Sequence, residues 1–163
     1  VFYCNMSSNI TFARNLVKGK IAETIFAQML RETHEFTVLE FGYEKIIPEL
    51  IQQEINKEEE TMEILKTAPD FAVINHSTKE VHLVEVKYLR VMDRNRVFQY
   101  AQRMSESWNP SYLFVASSDG FYFDEIKKIC ENNGEISQFK HPKISKELQA
   151  QYHKILLNFE QGN

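Results

Sequence analysis

The sequence predicts an α/β protein in which a mixed β-sheet carries helices on both of its faces. Segments with helical spacing alternate along the chain with short segments rich in β-branched and aromatic residues. Two strand-like segments, 70–75 and 81–88, are separated by a loop that is short enough for a hairpin. Helical segments lie before, between and after the strands, which is typical of a sheet covered on both sides.

The first half of the chain begins with a helix and contains the predicted hairpin. Residues 13–33 have helical spacing, and residues 36–41 (FTVLEF) read as a strand. An acidic helical excursion follows over 48–66, and Pro48 is its predicted first residue. The hairpin strands at 70–75 and 81–88 come next, so the sheet already has three strands before the middle of the chain.

The second half alternates helices with one further predicted strand. A helix near 94–108 precedes a strand at 111–116 (SYLFVA). The sequence SSDG then predicts a turn, and a helix near 122–132 is expected to end at Asn133-Gly134. The last 24 residues, 140–163, contain a closing C-terminal helix with its helical pattern over 144–159.

Composition places the chain among ordinary globular proteins. The 163 residues are 43% hydrophobic and 26% charged, so we expect one domain over 1–163 with a core of its own. No apolar run approaches the length of a membrane span, and the first residues lack the layout of a secretory signal, so we expect a cytoplasmic protein. Cys4 and Cys130 are far apart and outside any zinc-type spacing, so both are interpreted as reduced thiols.

The net charge of −4 is concentrated in one segment. Residues 44–66 contain seven Glu and three Lys, so this acidic helical insertion alone carries −4 and the other 140 residues are neutral together. Basic residues cluster within the neutral remainder, for example at Lys18 and Lys20 and again at Arg94 and Arg96. A local basic groove for nucleic acid is therefore compatible with the sequence, and so is ordinary solvated surface charge.

The register of the predicted hairpin brings charged residues together. If residues 76–79 form the loop, Asp70 lies directly opposite Glu85, with Cβ atoms about 4.5–5.5 Å apart. Lys87 lies on the same face of the sheet as Glu85, whereas Val86 points to the opposite face with Val84. Two opposed carboxylates repel each other unless a cation lies between them, and oxygen ligands suit Mg²⁺ or Mn²⁺.

Glu23 is a candidate third acid. It lies with Leu16, Gly19, Phe26 and Leu30 within about 80° on one face of the first predicted helix, so a carboxylate interrupts an apolar stripe. Gly19 costs about 1 kcal/mol of helix stability relative to Ala, and its missing side chain would allow a close approach by another group. A structural ion pair with Lys20 or Lys87 is the alternative role for Glu23.

These residues resemble the signature of a known superfamily. Pro69-Asp70, fourteen intervening residues and then Glu85-Val86-Lys87 are similar to the PD-(D/E)XK motif of the restriction-endonuclease-like nucleases. Gly19-Lys20-Ile21-Ala22-Glu23 resembles the GxxxE helix found in Holliday-junction resolvases and related repair nucleases of that superfamily. The resemblance covers about 13–132. It implies a restriction-endonuclease-like αβββαβ core, here with the acidic helical insertion after the first strand.

The resemblance also implies an activity and a set of roles. Asp70, Glu85, the carbonyl of Val86 and Glu23 would hold Mg²⁺ or Mn²⁺, and Lys87 would assist the attacking water during phosphodiester hydrolysis. The residues expected to contact nucleic acid are Lys20, Arg96, Gln99 and Arg103. DNA is the first expected substrate, RNA is compatible with the same chemistry, and a homodimer is a further expectation.

Two observations qualify this interpretation. Glu125-Ile126-Lys127 is a second ExK sequence, preceded by Asp119, but it lies in a predicted helix rather than a hairpin. Many members of the superfamily bind without cutting, so the alternative function is a non-catalytic nuclease-fold module. In that case the 44–66 insertion would dock a nucleic acid or protein partner, with Ile46, Ile47, Leu50 and Ile51 as its apolar contacts.

Overall fold

The structure, a computed structural model, describes residues 3–52 and 60–162. Its centre is a five-stranded mixed sheet whose strands are arranged in the order in which they occur along the chain. The strands are β1 (Phe36–Glu40), β2 (Phe71–Asn75), β3 (Val81–Tyr88), β4 (Tyr112–Ser117) and β5 (Gly120–Glu125). Only the β3–β4 pair is parallel, and the three other neighbouring pairs are antiparallel.

Helices precede, interrupt and follow the sheet. They are α1 (Tyr3–Glu32), α2 (Tyr43–Gln52), α3 (Glu60–Leu65), α4 (Arg94–Ser105), α5 (Ile126–Glu131) and α6 (Lys146–Gln161). Two of them begin at a side-chain cap, since Asp93 accepts the backbone N–H groups of Asn95 and Arg96, and Ser145 accepts that of Leu148. None of the helices in the described ranges is long and apolar enough to cross a membrane.

The alternation of side chains along β4 divides the core into two layers. Phe114 and Ala116 pack with α1 and with Leu156 of α6 on one face of the sheet. Leu113 and Val115 pack with α4 and α5 on the other face. The predicted α/β class, with a mixed sheet between two helical layers, is therefore confirmed.

The predicted hairpin register is also confirmed. Phe71 lies opposite Val84 and Ile74 lies opposite Val81, and the backbone N–H of Asn75 donates to the carbonyl of Glu80 at 3.0 Å. Residues 76–79 form the loop, as the sequence predicts. Extending this register by one residue places Asp70 opposite Glu85.

The predicted helix near 122–132 is wrong in its first part. Residues 120–125 form β5, which pairs with β4 through a tight turn that brings Gly120 opposite Ser117, and helix α5 begins only at Ile126. The aromatic run Phe121-Tyr122-Phe123 fits a strand well, because aromatic side chains pack on a pleated surface. The second ExK sequence therefore lies at the junction of β5 and α5.

The predicted boundaries of the acidic insertion also need correction. Pro48 lies inside α2 rather than at its beginning, because the helix already starts at Tyr43. At this start the backbone N–H of Lys45 donates to the carbonyl of Gly42. Helix α3 ends at Leu65, close to the predicted end of the excursion. The part of the prediction that falls on residues 53–59 lies outside the described residues.

The predicted apolar stripe of the first helix is correct only in its second half. Phe26 and Leu30 are buried, but Leu16 is 62% exposed. Among the described residues, no group outside the backbone of α1 itself lies within 4 Å of the position that a Cβ of Gly19 would take, so the predicted close approach is not seen there. The helix begins at Tyr3, well before the predicted residue 13, and its first half extends past the segment that packs on the sheet.

Candidate functional site

Asp70 lies immediately before β2 and is fixed by hydrogen bonds on both sides. Its carbonyl accepts the backbone N–H groups of Phe41 at 2.9 Å and Gly42 at 3.2 Å, which follow β1. Its carboxylate oxygen Oδ2 accepts the backbone N–H of Val86 at 2.8 Å. The side chain of Asp70 is therefore held against β3 at the position of Glu85 and Val86.

Glu85 and Lys87 project from β3 on the face that α4 covers. Each is paired in register with a residue of the α4–α5 layer, Leu113 for Glu85 and Val115 for Lys87. Lys87 Nζ lies 2.6 Å from Glu85 Oε1, and 13% of the Glu85 side chain is exposed. Val86 points to the opposite face and is buried with Val84, as predicted.

The electrostatics of this group show two carboxylates in conflict. Burial and the charge of Glu85 raise the pKa of Asp70 to about 7, although the N–H of Val86 acts in the other direction. Burial by itself lowers the pKa of Lys87, but the attraction of Glu85 and Asp70 outweighs it and raises that pKa. Lys87 is consequently charged at neutral pH, whereas Asp70 carries its negative charge at a cost.

Glu23 lies near these acids but has a different partner. Its Oε2 atom is 3.0 Å from Lys20 Nζ, and the same nitrogen is 3.0 Å from Glu44 Oε2 on α2. The charge of Glu23 nevertheless contributes to the raised pKa of Asp70. The alternative role that the sequence leaves open for Glu23, an ion pair with Lys20, is what the structure shows.

The acids line a cleft of about 650 Å³ between α1 and the chain that connects β1 to β2. We call it the α1–α2 cleft. Its carboxylates are those of Glu23, Glu40, Glu44, Asp70 and Glu85. Its cations are Lys20, Arg31, Lys45 and Lys66.

The donor set of the cleft fits a hard divalent cation, with two protein carboxylates rather than three. Among residues 3–52 and 60–162, no three His, Cys, Asp or Glu side chains converge closely enough to hold a metal ion. Asp70 and Glu85 supply oxygen ligands, and the raised pKa of Asp70 reflects a negative charge that a cation would stabilise. Mg²⁺ commonly binds through one or two carboxylates and completes its shell with water and substrate oxygens.

The residues expected to contact nucleic acid fall into two groups. Arg96, Gln99 and Arg103 are exposed on α4. In the part of the chain that the structure describes, the side chains of Arg96 and Arg103 form no ion pair. Lys20, in contrast, is already engaged by Glu23 and Glu44.

Tyr100 is a residue of the site that sequence analysis did not single out. Its ring centroid is 5.3 Å from Lys87 Nζ, a cation–π distance. On α4, Arg96 lies one turn before Tyr100 and Arg103 one turn after it, so both arginines lie on the flank of the helix nearest to Lys87. In the sequence, the feature that could have identified Tyr100 is its position on the helix next to the apolar residues Val97 and Ala101, which are buried in the structure.

Comparison with known proteins adds no assignment. The sequence matches no model of a protein family, and no curated protein is significantly similar to it.

Proposed function

We propose that the protein is a metal-dependent nuclease that hydrolyses phosphodiester bonds, with DNA as the first expected substrate. The observation that carries this proposal is the arrangement on one hairpin of Asp70 and Glu85 as opposed carboxylates with Lys87 on the same face. The raised pKa of Asp70 supports it, because strongly shifted carboxylates in a cleft are typical of functional sites. The restriction-endonuclease-like superfamily would account for the same arrangement.

The proposed reaction is attack of water on phosphorus with release of a proton from that water to solvent, cleavage of one phosphorus–oxygen ester bond and protonation of the leaving oxygen by solvent. A bound Mg²⁺ or Mn²⁺ ion would polarise the phosphodiester and lower the pKa of the attacking water. Asp70 and Glu85, with the carbonyl of Val86, would hold that ion. Lys87 would orient the water and stabilise the negative charge that develops on the phosphoryl oxygens, since its amine is charged and held by Glu85.

Metal binding and cleavage test the proposal together. A divalent ion that binds only the folded state should raise the melting temperature of the wild type as Mn²⁺ is titrated. Asp70→Asn should abolish both this rise and the cleavage of a substrate panel of linear, circular, single-stranded and branched DNA and of RNA. Lys87→Ala should abolish cleavage while the protein remains folded.

A matched control is available within the sequence. Lys127 belongs to the second ExK sequence and is exposed on α5, so Lys127→Ala should cleave at the wild-type rate. Wild-type activity in either Asp70→Asn or Lys87→Ala would refute the assigned roles. Loss of activity in all three variants would point to unfolding rather than to a catalytic site.

A non-catalytic nuclease-fold module is the second candidate function. It is favoured by the ion pairs that already neutralise two of the acids, Glu85 with Lys87 and Glu23 with Lys20. Such a module would bind nucleic acid or a protein partner without cutting. It predicts no Mn²⁺-dependent rise in melting temperature and no cleavage of any member of the panel.

A further inference from the structure

The acids of the proposed site lie at the bottom of the α1–α2 cleft. Glu85 has 13% of its side chain exposed and Glu23 has 25%, whereas Lys20 and Glu44 at the rim have 56% and 73%. The ion pair between Lys20 on α1 and Glu44 on α2 joins the two walls. The space between these walls is a route by which a phosphodiester can reach Asp70 and Glu85.

The size of the cleft limits what can enter. Its volume of about 650 Å³ is within the range of about 300–1,000 Å³ that is usual for small-molecule sites. Such a volume accommodates a short stretch of one strand. A continuous double helix is far larger, so its scissile phosphate would remain at the rim.

The charge of the cleft leads to the same conclusion. Five carboxylates and four cations line it. The cations are engaged: Lys20 by Glu23 and Glu44, Lys45 by Glu40, Lys66 by Glu63, and Arg31 by the carbonyl of Val38. A duplex carries one phosphate charge per about 1.7 Å of its axis, compared with about 3.4 Å for one strand, so a cleft with one excess carboxylate repels a single strand less than it repels a duplex.

Tyr43 contributes an aromatic side chain to the lining of this cleft. It is the first residue of α2, is half-buried and lines the same cleft as Asp70. Single-stranded nucleic acids are commonly bound by aromatic rings, because every base presents a π-face whatever its sequence. In a duplex that face is covered by the neighbouring base pairs.

We propose that the α1–α2 cleft takes an unpaired nucleic-acid strand, with one base stacked on Tyr43 and its phosphate directed towards Asp70 and Glu85. This inference deepens the proposed nuclease function and rests on it for the role of the two acids. The site would then act on single strands, overhangs or unpaired segments, rather than within a continuous duplex.

Binding measured without turnover tests the inference. Fluorescence anisotropy of a labelled oligothymidine of about 16 nucleotides, the upper site size of a single-strand module, would be recorded with Ca²⁺ in place of Mg²⁺. Relaxed circular duplex DNA would serve as one competitor and oligouridine of the same length as another. We expect the circular duplex to compete at least tenfold more weakly per nucleotide than unlabelled oligothymidine, and the oligouridine arm to show whether RNA is accepted.

Two variants at one position isolate the stacking contribution. Tyr43→Ala should weaken oligothymidine binding by about fivefold or more, the effect of losing one base–aromatic stack. Tyr43→Phe retains the ring and should bind within about twofold of the wild type. The melting temperatures of both variants would show that the fold is intact.

The outcomes separate this inference from the proposed catalysis. Equal or stronger competition by the circular duplex, no binding of oligothymidine, or unchanged binding by Tyr43→Ala would overturn the inference. Single-strand preference with its dependence on Tyr43, but no cleavage with Mg²⁺ or Mn²⁺, would uphold it and refute the nuclease proposal. Cleavage of the circular duplex as fast as of single strands would uphold the nuclease proposal and refute the inference of a single-strand site.

Discussion

Asp70 is held between a group that stabilises its charge and a group that destabilises it. The backbone N–H of Val86 donates to its carboxylate, while burial and the facing charge of Glu85 act more strongly in the opposite direction and raise its pKa to about 7. Without a bound cation, ionisation of this side chain therefore costs folding free energy. A metal ion bound at the site, alone or with substrate, would reduce this cost.

The raised pKa of Asp70 predicts a specific dependence of stability on pH in the absence of divalent ions. Between its ordinary pKa of 3.8 and about 7, the folded state holds a proton on Asp70 that the unfolded state has released. The protonated side chain therefore stabilises the folded state fully below pH 3.8, and this stabilisation is lost as the pH rises through 7. The free energy involved is about 1.36 kcal/mol for each unit of pKa shift. Asp70→Asn retains an acceptor for Val86 and removes the charge, so it should be more stable than the wild type at pH 8 by a few kcal/mol, as measured by urea denaturation.

Asp124 is the matched control for this prediction because its pKa shift has the opposite sign. Burial alone raises the pKa of Asp124, but hydrogen bonds from Ser137 and Lys128 outweigh it and lower that pKa. This stabilisation is present above the ordinary pKa of 3.8 and is lost as the pH falls below it. Asp124→Asn should thus lose about 1–3 kcal/mol at pH 8. A loss of stability by Asp70→Asn at that pH would contradict the electrostatic account of the site.

At the scale of elements, the hairpin was predictable and the last strand was not. A four-residue loop and the two-residue period of a strand together determine which residues of β2 and β3 face each other, so Asp70 and Glu85 could be paired from the sequence. The β4–β5 turn offered no such constraint, because Phe121-Tyr122-Phe123 can anchor either a strand or a helix in a core. The aromatic run forms a strand because it pairs with β4, and this pairing is a tertiary contact.

The same distinction applies to the candidate site. The opposed carboxylates and Lys87 come from one hairpin and followed from local spacing. The contacts of Lys20 with Glu44 and of Lys87 with Tyr100 did not, since Glu44 reaches Lys20 only through the placement of α2, and Tyr100 reaches Lys87 only through the packing of α4. Local spacing therefore identified the acids and their nearest cations, but not the contacts that other elements make with those cations.

Two glycines provide a test of the structure at this scale. Gly134 follows α5 with a φ of 89°, and a Cβ there would lie 2.3 Å from the carbonyl of Arg94 and 2.8 Å from Phe98 Cβ. Gly134→Ala should therefore separate α4 from the end of α5 and cost about 3 kcal/mol or more. Gly19 lies within α1 with open space around it, so Gly19→Ala should instead stabilise the protein by about 1 kcal/mol.

Urea denaturation of both variants measures these effects directly. A destabilised Gly19→Ala would show that a group does approach α1 closely at that turn, as the sequence alone suggested. A neutral Gly134→Ala would show that the contact between α4 and the end of α5 differs from the one described.

For the whole molecule, the distribution of charge matters more than its total. The net charge of −4 resides in the acidic segment 44–66, and the cations of the α1–α2 cleft are engaged by acids or by a backbone carbonyl. The basic clusters seen in the sequence therefore do not contribute equally to a field for nucleic acid. Arg96 and Arg103 on α4 are exposed, and among the described residues they have no acidic partner, so they are available to phosphates.

This distribution predicts which residues determine the salt dependence of nucleic-acid binding. Arg96→Gln and Arg103→Gln should each weaken binding and should each reduce the slope of log K against log salt by about 0.7, the value for one phosphate contact with a single strand. Lys154 is equally exposed but lies on α6 and is not among the residues that line the α1–α2 cleft, so Lys154→Gln should leave the slope unchanged. Titrations of a labelled single strand at several salt concentrations measure the three slopes. An equal reduction in all three variants would mean that the strand is attracted by overall charge, whereas a reduction confined to the α4 variants would place its backbone along the flank of α4 beside Lys87.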